Sequence, residues 1–301
     1  MYRPNLRHLE FLVALNAEQH FGRAAERCHV TQSTLSAGIK ELEEGLSVIV
    51  AERTRRSVQL TPVGKDLAGR AQRILADTRA LVDYACAQSG VLSGDFRIGA
   101  IPTLAPYLLP QVLPSIRAQH PHLRLYMREA VTDDLLDGLT TGALDAALLA
   151  LPYETGDLAT FPMFEDGYQL AVPAGHVLSA CDVVSAGQVA GLEMMLLEKG
   201  HCLQRHALSA FQPQGPRQDR SFEATSLPTL IAMVAEGLGT TLLPDIAVRA
   251  GVANGHDVEL VPLDGAYPRT VALACRKHSP RKEDIRRLAE LMARAHEDQL
   301  A

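Results

Sequence analysis

Phe21-Gly-Arg-Ala-Ala-Glu-Arg-Cys-His-Val-Thr-Gln-Ser-Thr-Leu-Ser-Ala-Gly-Ile-Lys-Glu-Leu-Glu-Glu-Gly-Leu46 decides the fold of the N-terminal part of the chain. It reads as two short helices meeting at a tight corner. Ala24, Ala25 and Cys28 give the first helix an apolar face, and Val30 fills the turn. In the second helix Leu35, Ile39, Leu42 and Leu46 recur at helical spacing. Thr31 is placed to cap it, because its hydroxyl can accept a hydrogen bond from a free amide of the first turn. The opposite face, Gln32, Ser33, Thr34, Ser36 and Lys40, is short, polar and uncluttered. Such a face can enter a DNA major groove and reach base edges and phosphates. Taken alone, the pattern describes an ordinary helical hairpin about as well.

The flanks narrow the choice. Residues 5–20 form an opening helix whose Phe11, Leu12 and Leu15 pack beneath the hairpin. Downstream, Glu52-Arg-Thr-Arg-Arg-Ser-Val-Gln-Leu60 places Arg53, Arg55 and Arg56 in a β-hairpin wing. There, with Arg23 on the first helix, they serve as phosphate contacts beside the recognition helix. Thr61-Pro-Val-Gly64 then opens a long helix to about Gln88, interrupted only by Gly69. Leu67, Ala71, Ile74, Thr78, Leu81 and Ala85 step by four and three along it, a heptad seam. The seam serves a dimer, since one recognition helix per chain needs a partner to bind two half-sites; the competing reading is an amphipathic helix packed on its own domain.

Ala-Ala-Glu, Thr-Gln-Ser-Thr-Leu-Ser, Ile-Lys-Glu-Leu-Glu, Glu-Arg-Thr-Arg-Arg and Leu-Thr-Pro-Val-Gly stand here in the order seen in LysR-type transcriptional regulators, which the chain resembles. Two departures are local. Ser33 occupies a position often held by proline, and Leu46-Ser-Val-Ile-Val-Ala51 replaces a Leu-Gly…Leu-Phe run.

The 301 residues, 47% of them hydrophobic, suffice for two or more domains with substantial cores. A net charge of −6 argues against nucleic acid, but its distribution does not. Residues 1–90 hold 12 Lys/Arg against 10 Asp/Glu, and the remainder 17 against 25, which confines DNA contact to the N-terminal part. There is no signal-peptide pattern and no apolar run near membrane-spanning length, so a cytoplasmic protein is expected. The five cysteines, Cys28, Cys86, Cys181, Cys202 and Cys275, are scattered and odd in number. They suggest neither a disulfide scaffold nor a zinc site, and no metal or other cofactor is expected.

Beyond a hinge at Ser89–Gly94 the pattern turns α/β. Strands are expected at Asp95–Ile101, Arg124–Ala130 and Asp145–Leu151, with helices at Pro106–Gln119 and Asp133–Gly142 between them. A second lobe begins near Asp166, and the chain returns to the first near Arg269, ending in a helix from Lys282. Two lobes joined by crossing strands resemble the periplasmic-binding-protein fold, which LysR-type regulators use as an effector domain. The expected organisation is therefore a winged helix-turn-helix domain (1–62), a linker and dimerisation helix (63–89) and an effector domain (90–301). Lobe I covers about 90–164 and 268–301, and lobe II about 165–267.

In the second lobe Leu196-Leu-Glu-Lys-Gly-His-Cys202-Leu is the most informative motif. Gly200 lets the backbone turn at a strand end, and a helix follows from about Leu203. A cysteine at a helix N-terminus, with Lys199, His201, Arg205 and His206 nearby, is biased toward thiolate, the nucleophilic form. On residue type alone, a buried structural cysteine is the more common outcome.

Gly-His-Cys-Leu, Ala-Thr-Ser-Leu with Met-Val-Ala-Glu-Gly, Thr-Leu-Leu-Pro, Ile-Pro-Thr-Leu-Ala-Pro-Tyr-Leu-Leu-Pro and Pro-Arg-Thr are similar to the OxyR-type peroxide sensors within the LysR family. The similarity runs through nearly the whole chain. It implies that Cys202 is the thiol attacked by peroxide and that Thr103 and Thr132 are hydroxyl donors, with His201 beside them and Arg269 a nearby cation. The family's resolving cysteine would stand nine residues after Cys202, where this chain has Phe211. Ser221-Phe-Glu-Ala224 also departs from the family pattern. The usual intramolecular disulfide is thereby excluded. Oxidised Cys202 is expected to persist as sulfenic acid, to be glutathionylated, or to pair with Cys181 or Cys275.

Three functions compete. The first is a regulator that binds operator DNA as a homodimer or homotetramer and answers peroxide through Cys202, with RNA polymerase a further partner consistent with that role. The second is a regulator holding a small anionic metabolite among Thr103, Thr132, Thr225, Ser226 and Arg269. The third is a thiol peroxidase or cysteine hydrolase. It is disfavoured because no Cys-His-acid constellation is evident and residues 1–90 would go unexplained.

Overall fold

A computed structural model describes residues 2–53, 58–87, 92–189, 192–198, 200–210 and 217–300. The chain falls into two compact units that divide near residue 88.

In the first unit, α1 (Leu6–Glu18), α2 (Phe21–Arg27) and α3 (Gln32–Leu46) form a three-helix cluster. Each helix starts on a side-chain cap. Asn5 accepts from the His8 amide, His20 from Gly22 and Arg23, and Thr31 from Thr34, each satisfying an otherwise orphaned N–H. Leu12 and Leu15 of α1, Ala24 and Ala25 of α2, and Leu35, Ile39 and Leu42 of α3 close the core. The wing is β1 (Ala51–Arg53) paired antiparallel with β2 (Val58–Leu60).

Next comes α4 (Pro62–Ala87). The Leu-Thr-Pro-Val-Gly motif has a physical explanation. Thr61 accepts from the Gly64 amide and donates to the Ile49 carbonyl, and Pro62 takes the first helical position, where its missing N–H costs nothing. Gly64 lies so close to the Val50 carbonyl that an added Cβ would collide with that oxygen. Leu67, Ala71 and Leu75 of α4 pack into the helix-turn-helix core. The expected seam is thus divided. Leu67 and Ala71 are occupied within the chain, whereas Ile74 and Leu81 are 47% and 70% exposed. The Ala85 side chain lies outside what is described.

The second unit has two cores. The first lobe is a five-stranded sheet in the order β4-β3-β5-β13-β6. β3 (Gly94–Ala100) runs parallel to β4 (Leu123–Glu129) and β5 (Ala146–Leu151). Helices α5 (Ala105–Gln119) and α6 (Thr132–Thr140) supply the crossovers that parallel strands require. Ala146–Ala150 are all buried, the continuous apolar run expected of a central strand covered on both faces.

From β5 the chain enters β6 (Leu158–Asp166) and crosses to the second lobe through β7 (Tyr168–Pro173). β8 (Val184–Ser185), α7 (Ala186–Val189), β9 (Glu193–Leu197), α8 (Cys202–Ser209), β10 (Arg217–Ala224), α9 (Leu227–Ala235), β11 (Thr241–Pro244), α10 (Asp245–Arg249) and β12 (Val258–Asp264) follow. They form a four-stranded sheet β11-β7-β12-β8 and a parallel pair β10-β9. β13 (Arg269–Arg276) returns to the first sheet between β5 and β6, antiparallel to both, and α11 (Lys282–Glu297) packs on α5 and that sheet. The two crossings meet in register at Asp166 and Arg269. The return near Arg269 and the terminal helix from Lys282 agree with the sequence reading.

Candidate functional site

The register pair at the crossings builds the centre of the second unit. Arg269 and Asp166 are both fully buried, and the guanidinium donates to Asp166 Oδ2 from Nε at 3.0 Å and from Nη2 at 2.8 Å. Its Nη1 donates to the Thr103 hydroxyl at 2.9 Å and Nη2 to the Thr103 carbonyl at 3.2 Å. The second carboxylate oxygen of Asp166 accepts from the Ile246 amide at the start of α10. A buried charge pair persists only when its remaining hydrogen-bonding capacity is met, as it is here.

Cys202 faces this assembly. Gly200, at φ +108°, turns the chain out of the β9 region, and α8 begins at Cys202 itself, with His201 at the cap position. The thiol is 4% exposed. Burial pushes its pKa up, against the Arg269 charge, the Thr132 hydroxyl and the amides of Cys202 and Leu203, all of which favour the anion. The expectation of a favoured thiolate is therefore corrected, because desolvation outweighs the helix terminus. Thr132 Oγ1 is itself buried, and the Cys202 sulfur is the group on which it acts. The hydroxyl can turn to that sulfur or to an oxygen bound beside it.

The flanking bases also differ from expectation. His201 is buried and its pKa is lowered by that burial, although Glu198 lies 4.0 Å from Nε2. Burial lowers His206 to about 4. Both rings are neutral near pH 7, so neither supplies a cation. His206 Nε2 instead bonds the Pro152 carbonyl at 2.8 Å, as the donor in the neutral ring. Arg205 stacks over the Tyr153 ring at 4.6 Å. Tyr153 donates to Asp133 at 2.5 Å, and burial followed by that bond raises its pKa to about 12. Lys199 and Phe211 lie outside the described residues.

Thr103, Thr132, His201, Cys202 and Arg269 thus belong to one region. Thr225 is exposed, and the Ser226 hydroxyl caps α9 by accepting from the Thr229 amide. Cys275 is a free, buried thiol six residues beyond Arg269 on β13. Sequence reasoning missed Asp166, Tyr153, Asp133 and Tyr168. The only signal for Asp166 was its place at the first crossing.

On the first unit, Gln32, Ser33, Thr34 and Lys40 are exposed along α3 and Ser36 is half-buried. The Thr31 hydroxyl lies 2.9 Å from that of Ser33 and 2.8 Å from that of Thr34, which orders the start of the helix. Arg23 is engaged by Glu18, to whose carbonyl it donates at 2.7 Å. Arg7, not singled out in the sequence, donates to the Cys28 carbonyl at 2.8 Å and ties α1 to the turn. Arg55 and Arg56 lie outside the described residues, as does the Arg53 side chain.

A two-lobed α/β unit following a winged helix-turn-helix defines the class. Residues 6–65 match the family model for bacterial regulatory helix-turn-helix proteins of the lysR family, and residues 89–297 match the LysR substrate binding domain. The chain belongs to the LysR family of DNA-binding transcription regulators.

Within that family it is 40% identical to the dual regulator OxyR of Escherichia coli K12, over 95% of this chain and 94% of the relative. It is 39% identical to the regulator EstR of Acinetobacter baylyi, over 97% of each chain. Among solved structures, a cysteine-to-aspartate variant of full-length Pseudomonas aeruginosa OxyR superposes with a TM-score of 0.79 at 36% identity, covering 97% of this chain and 95% of that one. An H2O2-bound cysteine-to-serine variant of Corynebacterium glutamicum OxyR gives 0.67 at 28% identity, over 99% and 94%. Among the described residues no helix is long and apolar enough to cross a membrane.

Proposed function

We propose that this regulator responds to hydrogen peroxide through oxidation of Cys202 and changes its binding to operator DNA accordingly. The observation that carries the reading is a buried thiol on which the Thr132 hydroxyl and the Arg269 charge both act in favour of the anion. The buried Thr132 hydroxyl is placed to bond the sulfur or an oxygen delivered to it. The names of the relatives point the same way, several being hydrogen peroxide-inducible gene activators.

A small anionic metabolite is the weaker reading, because the Arg269 charge is already neutralised by Asp166 at 2.8 Å. Since position 211 holds phenylalanine, the sulfenic acid has no thiol nine residues away and persists until glutathione or another cysteine, such as Cys181 or Cys275, meets it. The domain limits at 62 and 89, the lobe limits near 165 and 267, the DNA contacts at Gln32, Ser33, Thr34, Ser36, Lys40, Arg53, Arg55 and Arg56, assembly as a homodimer or homotetramer, contact with RNA polymerase and a cytoplasmic location complete the proposal.

The test compares wild type with Cys202→Ser for operator binding across a peroxide titration, while a dimedone-type reagent traps sulfenic acid. Wild type should be labelled at Cys202 and shift its binding; Cys202→Ser should do neither. Identical responses in the two proteins, or none in either, would sink the reading.

A further inference from the structure

The second unit holds a cavity of about 360 Å3. It is lined by Pro152, Tyr168, His206, Ala210, Tyr267, Pro268 and Arg269. Hydrogen peroxide does not need this space, since a water molecule takes about 30 Å3 and a peroxide is little larger. Pockets that hold organic ligands start at about 300 Å3 and are mostly apolar with a few placed polar groups. Here two proline rings, two tyrosine rings and the Ala210 methyl supply the apolar walls.

Cys202 is not itself a lining residue, but the polar groups of the lining are tied to it. Arg269 lines the cavity, and its charge acts on Cys202. His206 lines it one helical turn beyond Cys202, on the same face of α8. Tyr168 is only 5% exposed, and its hydroxyl is buried with no hydrogen-bond partner. It is close enough to Cys202 and Arg269 to feel both charges. The Tyr168 hydroxyl thus joins that of Thr132 in the region of the sulfur.

We propose that the site accepts organic hydroperoxides with a compact branched or aromatic group: the hydrocarbon part occupies the cavity between Tyr267, Pro152 and Pro268, and the peroxide group reaches Cys202 past Tyr168 and Arg269. This rests on Cys202 being the peroxide-reactive thiol. In the reaction, Cys202–SH and ROOH give Cys202–SOH and ROH. The sulfur attacks the terminal oxygen, the S–O bond forms as the O–O bond breaks, and the departing alkoxide takes up the proton released by the thiol. Sulfur loses two electrons and the hydroperoxide is reduced to its alcohol. The Tyr168 hydroxyl remains protonated at neutral pH, burial having raised its pKa, and can donate to the departing oxygen.

The test measures the rate at which Cys202 of the full chain is lost to oxidation, by quenched alkylation and peptide mass spectrometry, with hydrogen peroxide, tert-butyl hydroperoxide and cumene hydroperoxide. The expected rate for cumene hydroperoxide lies within about tenfold of that for hydrogen peroxide, and Tyr267→Ala lowers the ratio of the two by about tenfold through lost tail contacts. Tyr267 is exposed, so the variant does not threaten folding. Ala210→Leu, which fills the inner wall, lowers the same ratio.

Rapid oxidation by hydrogen peroxide with both organic probes more than about a hundredfold slower overturns the inference and leaves the peroxide reading intact. An unchanged ratio in both variants removes the cavity as the seat of the organic group. Failure of every oxidant at Cys202 overturns the peroxide reading itself.

Discussion

The side chains around Cys202 show how far burial overrides local chemistry. The thiol carries every sequence mark of an activated cysteine, yet its pKa is raised because burial is the largest influence on it. Below that pKa the thiolate fraction grows about tenfold per pH unit. The peroxide oxidation rate of Cys202 should therefore climb steadily between pH 6 and 9; a rate already flat at pH 7, followed by stopped-flow thiol loss, would contradict the burial argument. His206 makes the complementary case. Its folded pKa of about 4 lies below the ordinary histidine value of 6.5. Above pH 6.5 both states are neutral and the ring costs nothing. As pH falls the unfolded chain takes up the proton first, so stability is lost down to about pH 4 and then levels off. The difference amounts to roughly 3 kcal/mol. Denaturation midpoints of His206→Gln should fall less steeply than wild type over that range. The Arg269–Asp166 pair is the third case. Asp166→Ala leaves a buried guanidinium unpaired and should cost about 3–5 kcal/mol, read from urea unfolding.

At the scale of elements, legibility followed locality. Helix α3 was readable because Leu35, Ile39 and Leu42 repeat at helical spacing and Thr31 is a local cap, and all four serve as expected. The strands β3, β5 and β13 were readable as apolar runs bounded by turns. Asp166 was not, since its meaning comes from a partner 103 residues away, met only because β6 and β13 are neighbours in the sheet. Tyr153 and Asp133 are hidden for the same reason. Cys202 stood out locally, at the expected start of a helix after Gly200, but its sensing role, and Thr103, Thr132 and Arg269 altogether, were named through family resemblance; no spacing within this chain connects them. Gly64 lies between these extremes, a motif residue whose reason is steric and visible only once Val50 is in place. Gly64→Ala would drive a Cβ into the Val50 carbonyl. The α4 start must move, so the variant should lose operator binding and lower the melting of the first unit, while Cys202 oxidation in the second continues at the wild-type rate. Normal DNA binding by that variant would show that the close approach relaxes without cost.

For the whole molecule, the proposed dimer on a two-part operator raises the question of what holds the two chains together. With Leu67 and Ala71 spent on the helix-turn-helix core, the seam on α4 that remains for a partner is Ile74, Thr78, Leu81 and the adjacent Val82. Ile74, Leu81 and Val82 are 47%, 70% and 56% exposed. Large apolar side chains seven residues apart on one exposed stripe have the spacing of a coiled-coil seam. A short seam of this kind gives few buried methylenes, each worth about 0.8 kcal/mol, so it should contribute to association without being its sole source. Leu81→Glu places a charge where an apolar contact is needed and should weaken dimerisation at least about tenfold. A control substitution at Arg73, exposed on the same helix, should change association much less. Operator affinity should fall with the dimer, because one recognition helix reads one half-site. Raising the protein concentration should restore binding if assembly is the cause. Sedimentation of the full chain together with operator titration distinguishes the outcomes. If Leu81→Glu sediments as wild type, α4 does not hold the dimer. If it dissociates yet binds the operator unchanged, each chain reads DNA alone and the two-half-site argument falls.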